Sequence, residues 1–207
     1  MLRIRILALL SMASFACASD LSDRLDGQED ELGEPLLVES VLEGSATLTR
    51  VDASSSELWV HYRFADDQAF TGAELGQTNG ELWDVAFQRF RVRTNGGVSG
   101  DGAVEVAVLT EVAFDGVSEA PNDGYSEDEP DADNDGDIEP VFETVEGGWY
   151  IYDFATHTLS PNALVYVVKT HDEQFYKMEF ASYYDEAGSS GHPSFMHESV
   201  SAPATTP

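Results

Sequence analysis

The sequence predicts an all-β protein with a single, mostly antiparallel domain. Three observations carry that expectation. Apolar and polar residues alternate at period two in run after run; in one of them Leu58, Val60, Tyr62 and Phe64 face away from Trp59, His61 and Arg63. Turn-forming clusters separate the runs: Thr78-Asn79-Gly80, Asn95-Gly96-Gly97, Asn122-Asp123-Gly124, Gly147-Gly148 and Gly188-Ser189-Ser190-Gly191. Sustained helical periodicity with caps is absent from the sequence, a short helix around Asp67–Leu75 being the one candidate.

At the N-terminus, Arg3 and Arg5 precede a short apolar core, Ile6 to Ala16, and then the small residues Ala16-Cys17-Ala18. This is the pattern of an export signal over residues 1–18. Its apolar run is shorter than the ~20 residues of a membrane span. Two processing outcomes stay open. Cleavage after Ala18 reads Ala-Cys-Ala as the recognised site, whereas lipidation of Cys17 reads Ser14-Phe15-Ala16-Cys17 as a degenerate lipobox. Cys17 is the only cysteine, and lipidation gives it a use; a membrane is then met only through the lipid. The exported part has no disulfide to draw on and must hold together by packing. Residues 19–34 carry seven acids against the single Arg24 and read as a solvated tether.

The domain is expected over residues 35–207, long enough for one sizeable core and to be stable as a single copy. Strands are predicted at Glu57–Phe64, at Ala103–Leu109 where Val104, Val106 and Val108 share a face, and at the aromatic Trp149–Phe154. Ala163–Thr170 is a continuous β-branched run suited to burial on both faces, and Gln174–Tyr184 alternates again. Between them, Leu82–Gly102 is the organising stretch. Trp83, Val85 and Phe87 share one parity; after Gln88 the apolar parity passes to Phe90 and Val92, and Arg89, Arg91 and Arg93 take the other face. Within one central strand such a switch implies a bulge or a strong twist. The three arginines are either partners for surrounding acid or a recognition feature for an anionic group.

The segment from Asp115 to Glu146 holds thirteen Asp or Glu and no Lys or Arg. Inside it, Asp131-Ala132-Asp133-Asn134-Asp135-Gly136-Asp137-Ile138-Glu139 follows the first half of a calcium loop. Asp131, Asp133 and Asp135 can converge on one ion because Gly136 permits the sharp turn; Asp137 stands at the carbonyl position and Glu139 two residues further on. The twelfth position is Phe142 instead of Glu, and no flanking helices are visible in the pattern. The alternative is an acidic loop that only raises solubility.

A net charge of −29 repels nucleic acid and anionic membrane as partners. It suits a salty surrounding, where repulsion is screened over short distances. Catalytic signatures are missing: Gly97-Val98-Ser99-Gly100-Asp101 lacks the second glycine of a nucleophile elbow, and the sequence contains no H-E-x-x-H and no phosphate-binding loop. A binding protein is expected, not an enzyme.

Four separated blocks carry a family resemblance: WDVAFQRFRVRTNGGVSGDG, GGWYIYDFATHTLSP, LVYVVKT and FYKMEFASYYDEAGSSG. In this order, over roughly Leu58 to Phe195, the chain resembles the HmuY family of exported haem-binding proteins. The resemblance implies haem, or a haem-carrying protein, as partner, held between two loops that each offer one axial ligand. One of these corresponds to the loop containing His157, which could equally be a turn residue bonding backbone. The other falls between Gly124 and Gly147, where this sequence has no His and no Met. The expected ligand set is therefore altered, with His157 alone or joined by Met196, and with Arg89, Arg91 and Arg93 as candidates for the haem propionates. His61, His171, His192 and His197 substitute only if the fold brings one of them beside His157. A second expectation is a calcium-binding surface lipoprotein that keeps the fold without haem.

Overall fold

A computed structural model describes residues 37–72, 83–144 and 148–204, all within the compact unit Leu36–Pro207. The expected signal, Cys17, the tether and the turn at Thr78-Asn79-Gly80 lie outside the described residues. The described chain is built from strands: β1 (Val38–Glu43), β2 (Ala46–Val51), β3 (Val60–Arg63), β4 (Gln68–Thr71), β5 (Val85–Gln88), β6 (Arg91–Thr94) and β7 (Glu105–Leu109). They continue as β8 (Tyr125–Ser126), β9 (Tyr150–Asp153), β10 (Thr158–Pro161), β11 (Val165–Lys169), β12 (Phe175–Tyr184) and β13 (Ser190–Val200). Single 3-10 turns occupy Phe114–Gly116 and Val141–Glu143. None of the described helices is long and apolar enough to cross a membrane.

The strands form a seven-stranded sheet in the order β1-β2-β13-β12-β11-β7-β8, a four-stranded sheet in the order β4-β3-β5-β6, and the separate hairpin β9-β10. Every ladder between named strands is antiparallel. One cluster of buried residues joins the two sheets: Tyr62, Phe87 and Val92 from the smaller meet Val106, Tyr166, Phe180 and Phe195 from the larger. Phe87 stacks on Phe195 at 5.5 Å between centroids. Burial of aromatic rings on this scale is the main favourable term for a chain without disulfides. β11 is buried on both faces as its composition predicts. Tyr166 and Val168 enter the first cluster, and Val165 and Val167 enter a second, with Val117 and Ala120 from the acidic segment covering them.

The organising stretch differs from the expectation of one bulged central strand. It is a hairpin: Gln88 pairs with Arg91, and Arg89-Phe90 form the turn. A hairpin turn reverses the chain, and that is why the apolar parity changes there. β6 is an edge strand. The TNGGVSGDG block beyond it is a backbone knot around buried Asn95, which donates through Nδ2 to the Trp83 carbonyl at 2.9 Å and accepts from Gly102 N–H at 3.1 Å. A Cβ on Gly96 would lie 2.1 Å from the Val104 carbonyl oxygen, so only glycine passes. The most recognisable block is therefore architectural. The helix expected around Asp67–Leu75 is replaced, over Gln68–Thr71, by β4, whose residues pair with β3; Leu75 lies outside the described residues.

Candidate functional site

The β9-β10 hairpin is short and would be marginal alone. Its base is pinned by Trp149, fully buried, which stacks on Phe180 at 4.3 Å and donates through Nε1 to the Phe90 carbonyl at 2.8 Å. Its tip is closed by Asp153. The carboxylate accepts from Ala155 N–H at 2.7 Å and Thr156 N–H at 3.4 Å, and the Asp153 carbonyl accepts from His157 N–H at 2.8 Å. The Ala155 N–H bond above all holds the Asp153 carboxyl below its ordinary pKa. His157 ends the turn at φ 56°, a left-handed conformation uncommon outside glycine but one in which histidine, like asparagine and aspartate, is enriched. Beyond the anchored base the hairpin projects apolar side chains into solvent, Ile151 at 57% and Phe154 at 83% exposure.

Between this hairpin and the body lies a cavity of about 640 Å³. The hairpin contributes Tyr150, Tyr152, His157 and Leu159; the β5-β6 turn contributes Arg89 and Phe90; the end of β12 and start of β13 contribute Tyr183, Tyr184 and Ser190. Arg89 is held rigidly at φ 57°, donating to the Ser54 carbonyl at 3.0 Å and to Ser190 Oγ at 3.1 Å. A strained backbone conformation fixed by its surroundings is a frequent mark of a functional position. Tyr184 accepts from Leu159 N–H at 3.0 Å, tying hairpin to body. Burial raises the Tyr183 pKa, with nearby Arg89 opposing, so the phenol keeps its proton. Tyr152 Oη lies 2.6 Å from His157 Nδ1. The cavity thus has aromatic walls, one fixed cation and one imidazole.

The fold separates residues that the sequence placed together. Arg91 and Arg93 do not line this cavity: Arg91 pairs with Asp137 at 2.9 Å, Arg93 with the same carboxylate at 3.4 Å, and the Arg93 guanidinium sits 4.5 Å over Trp59. Met196 pairs with Leu48 and Glu179 inside the large sheet, six residues and so roughly 20 Å of strand from Ser190. The other histidines are also elsewhere. His61 packs edge-on to Trp83 at 4.8 Å, His171 approaches the Gly102 carbonyl at 3.3 Å, and His192 lies between Asp52 and Asp185 at 3.7 and 3.9 Å. His197 is buried against Thr49, Tyr62 and Asp67 at 3.2, 3.0 and 3.1 Å.

In the acidic loop, oxygens of Asp131, Asp133 and Glu139 lie within 4.8 Å of one another. Asp131 accepts from Asn134 N–H at 2.7 Å and Gly136 N–H at 3.0 Å; Asp133 accepts from Asp135 N–H at 3.1 Å, and Asp135 from Asp137 N–H at 2.9 Å. Glu139 accepts from Ala132 N–H at 3.2 Å. Asp135 is outside the converging trio and Asp137 belongs to the arginines. Phe142, at the position where a helix-loop-helix calcium site has Glu, is a core residue 4.8 Å from the Tyr166 ring. The loop is not free-standing: Glu129 and Glu139 exchange backbone hydrogen bonds at 3.0 and 2.9 Å, and Asp128 is 1% exposed.

Sequence reasoning missed the tyrosines of the cavity wall and the buried acids Asp84 and Asp128. The adjacent pair Tyr183-Tyr184 was the available signal. Both rings pack at the edge of the core and both line the cavity, where the β12-β13 register shifts.

Comparison with known proteins follows the same geography. A family model described as HmuY protein matches residues 55–197. A Bacteroides vulgatus protein named as HmuY-like and haem-binding shares the fold at TM-score 0.56 and 20% identity, over 78% of this chain and 96% of that one. The apo HmuY analogue of Tannerella forsythia aligns at TM-score 0.57 and 20% identity, over 79% and 96%. A Bacteroides fragilis protein named as a lipoprotein aligns at 0.52 and 20%, over 76% and 93%. No curated protein sequence matches the chain. At these identities the solved structures carry the fold alone.

Proposed function

The chain belongs to the HmuY family, and from that premise we propose that it binds haem in the cavity beneath the β9-β10 hairpin. The observation that carries the reading is the meeting, in one space of about 640 Å³, of His157, Arg89 and a wall of tyrosines drawn from three separate parts of the chain. A cavity of this size is in the range that encloses a cofactor. Haem is an apolar plate with anionic propionates and an iron that takes an axial imidazole. The residues present fit those demands: aromatic rings for the plate, Arg89 for a propionate, His157 for the iron. When bound, the group supplies an iron centre, and the protein's part is capture and shielding. Among the described residues lining the cavity no second His and no Met accompanies His157, which favours a single-imidazole complex over a bis-ligated one. Arg91 and Arg93, committed to Asp137, are withdrawn from the propionate role.

Haemin titration followed in the Soret region tests this. The wild type should develop a Soret band of single-imidazole character, and His157→Asn, which tolerates the left-handed turn, should bind at least tenfold more weakly. Equal binding by that variant discards the ligand assignment; no binding by the wild type discards the haem reading.

Capture of haem outside the cell fits the export signal over residues 1–18, and lipidation at Cys17 would hold the domain at a membrane surface. These residues lie outside the described part. A protein of similar fold from Bacteroides fragilis is named as a lipoprotein, which supports an anchored reading.

The converging carboxylates of Asp131, Asp133 and Glu139 favour calcium as a second ligand, one that steadies the acidic loop whether or not haem is bound. An ion that binds only the folded state adds stability by mass action, about 2.7 kcal/mol at a hundredfold excess over Kd. Millimolar calcium should raise the Tm of the wild type and leave Asp131→Asn/Asp133→Asn unmoved. A wild-type Tm indifferent to calcium leaves only a solubilising loop.

A further inference from the structure

The haem reading leaves unexplained why the exposed hairpin tip carries Phe154, which is not among the residues lining the cavity. Tyr152 and His157 lie on opposite sides of the β9-β10 turn, and Tyr152 Oη meets His157 Nδ1 at 2.6 Å. Phe154, the most exposed large apolar residue among those described at 83%, packs edge-on against the Tyr152 ring at 4.9 Å. Its ring contact is with Tyr152, whose phenol it helps to set. On the other side, His157 is fixed through its backbone by φ 56° and by the bond to the Asp153 carbonyl at 2.8 Å. Backbone and ring are thus both held, the ring by a single contact at Nδ1. Nε2 makes no hydrogen bond among the described residues.

We propose that Tyr152 is the positioning residue for His157: its phenolic oxygen accepts the Nδ1 proton, so that the ring is held in the tautomer whose Nε2 lone pair faces the cavity. An imidazole coordinates a metal only through an unprotonated nitrogen, and the hydrogen bond at the other nitrogen decides which one that is. The Tyr152 O–H, 38% of that residue being exposed, remains free to donate to solvent. Without the phenol, the ring can rotate about its side-chain bonds and the proton can settle on either nitrogen. The aromatic pair at the tip is then a brace for one imidazole. This rests on the haem reading for its purpose, and on the Tyr152–His157 contact for its substance.

Two measurements on the whole protein separate the levels. Nitrogen-15 spectra of the histidine rings in the ligand-free protein should show the His157 proton on Nδ1, and Tyr152→Phe should convert His157 to a mixture of tautomers. Because Tyr152→Phe keeps the ring that Phe154 packs on, its Tm should match the wild type; a merely structural phenol would not move the tautomer. In haemin titrations the same variant should lose about tenfold to a hundredfold in affinity, as removal of an outer partner of a metal ligand commonly does, with a broadened Soret band. A His157 proton on Nε2 in the wild type overturns the proposal, as does a Tyr152→Phe variant that binds haemin as the wild type does. If the wild type binds no haemin, the haem reading falls, and the nitrogen-15 spectra alone then decide the Tyr152–His157 pairing.

Discussion

Asp84 follows Trp83 into the core, and its carboxylate accepts the Phe64 N–H at 2.8 Å. Burial raises its pKa to about 6; Asp172 and Asp66 add to the rise, and the Phe64 bond and Arg63 oppose it. An unfolded Asp titrates near 3.9. The folded state therefore holds its proton more tightly than the unfolded state, and this residue's contribution to stability falls as pH rises from about 4 to about 6. That is opposite in sign to a salt-bridged carboxylate. Asp84→Asn removes the titration while leaving an oxygen for Phe64 N–H. In urea unfolding, the stability difference between variant and wild type should move by roughly 2–3 kcal/mol in the variant's favour between pH 4 and pH 7. A difference constant over that range would show that Asp84 does not titrate there. His157 came to notice through the family resemblance, which pointed to the loop after Trp149, and the structure places it on the cavity wall. Its Tyr152 partner was not legible in the sequence, since which side chain crosses a hairpin depends on register: Tyr152 pairs with Leu159, and the turn carries His157 back toward it.

The acidic segment shows how far composition misleads about an element. Thirteen acids without a cation suggest a solvated loop, yet the segment contributes β8 to the large sheet and Val141 and Phe142 to the core. Asp128 is its bolt: buried, it accepts Thr94 N–H at 3.0 Å through one oxygen and Val141 N–H at 3.0 Å through the other. Burial raises its pKa, and the bonds from Val141 N–H and Thr94 N–H work against that rise. Asp128→Ala leaves two buried N–H groups without partners and should cost about 2–5 kcal/mol. Denaturant midpoints measure it, with exposed Glu129→Ala as the control that should change little. β13 is the converse case. It is the longest of the described strands and runs between β2 and β12 inside the large sheet, but Pro193, Ser194 and His197 broke its apolar alternation. Pro193 fits because the β12-β13 register shifts nearby, and a bulge accepts a residue without an N–H.

Over the whole molecule, ten Lys and Arg face thirty-nine Asp and Glu, so the placement of the few cations is informative. Arg91 and Arg93 hold the acidic loop through Asp137, buried Lys177 pairs with Glu198 at 2.8 Å, and among the described arginines Arg89 alone lines the large cavity. One cation kept for a cavity in so acidic a chain is consistent with an anionic group being met there. An acidic body attached by a lipid would stand off an anionic bilayer, with repulsion fading beyond about 8–10 Å at ordinary ionic strength. Fractionation of cells expressing the full chain checks the attachment. Wild type should follow the membranes and Cys17→Ser should appear in the soluble exported fraction; a soluble wild type would remove the anchor.

What the sequence determined by itself is the class and the identity of the scaffold. Period-two alternation and turn residues are local properties, readable wherever one face of a strand is buried; the glycines of TNGGVSGDG are readable as turn residues, although what requires Gly97 is the backbone of Asp128, far along the chain. The parity switch at Gln88 was also readable, although its cause was a chain reversal and not a bulge, because alternation records faces and not direction. Only the tertiary structure decided which residues meet. It split Arg89 from Arg91 and Arg93, since a two-residue turn points its first residue at the cavity while the following strand faces Asp137. It took Met196 away from His157 by embedding it in the centre of a sheet. And it assembled the cavity from a hairpin, a turn and the junction of two strands lying up to about a hundred residues apart, from Arg89 to Ser190. Contacts of that separation are set by how sheets stack and hairpins fold back, not by any spacing along the chain.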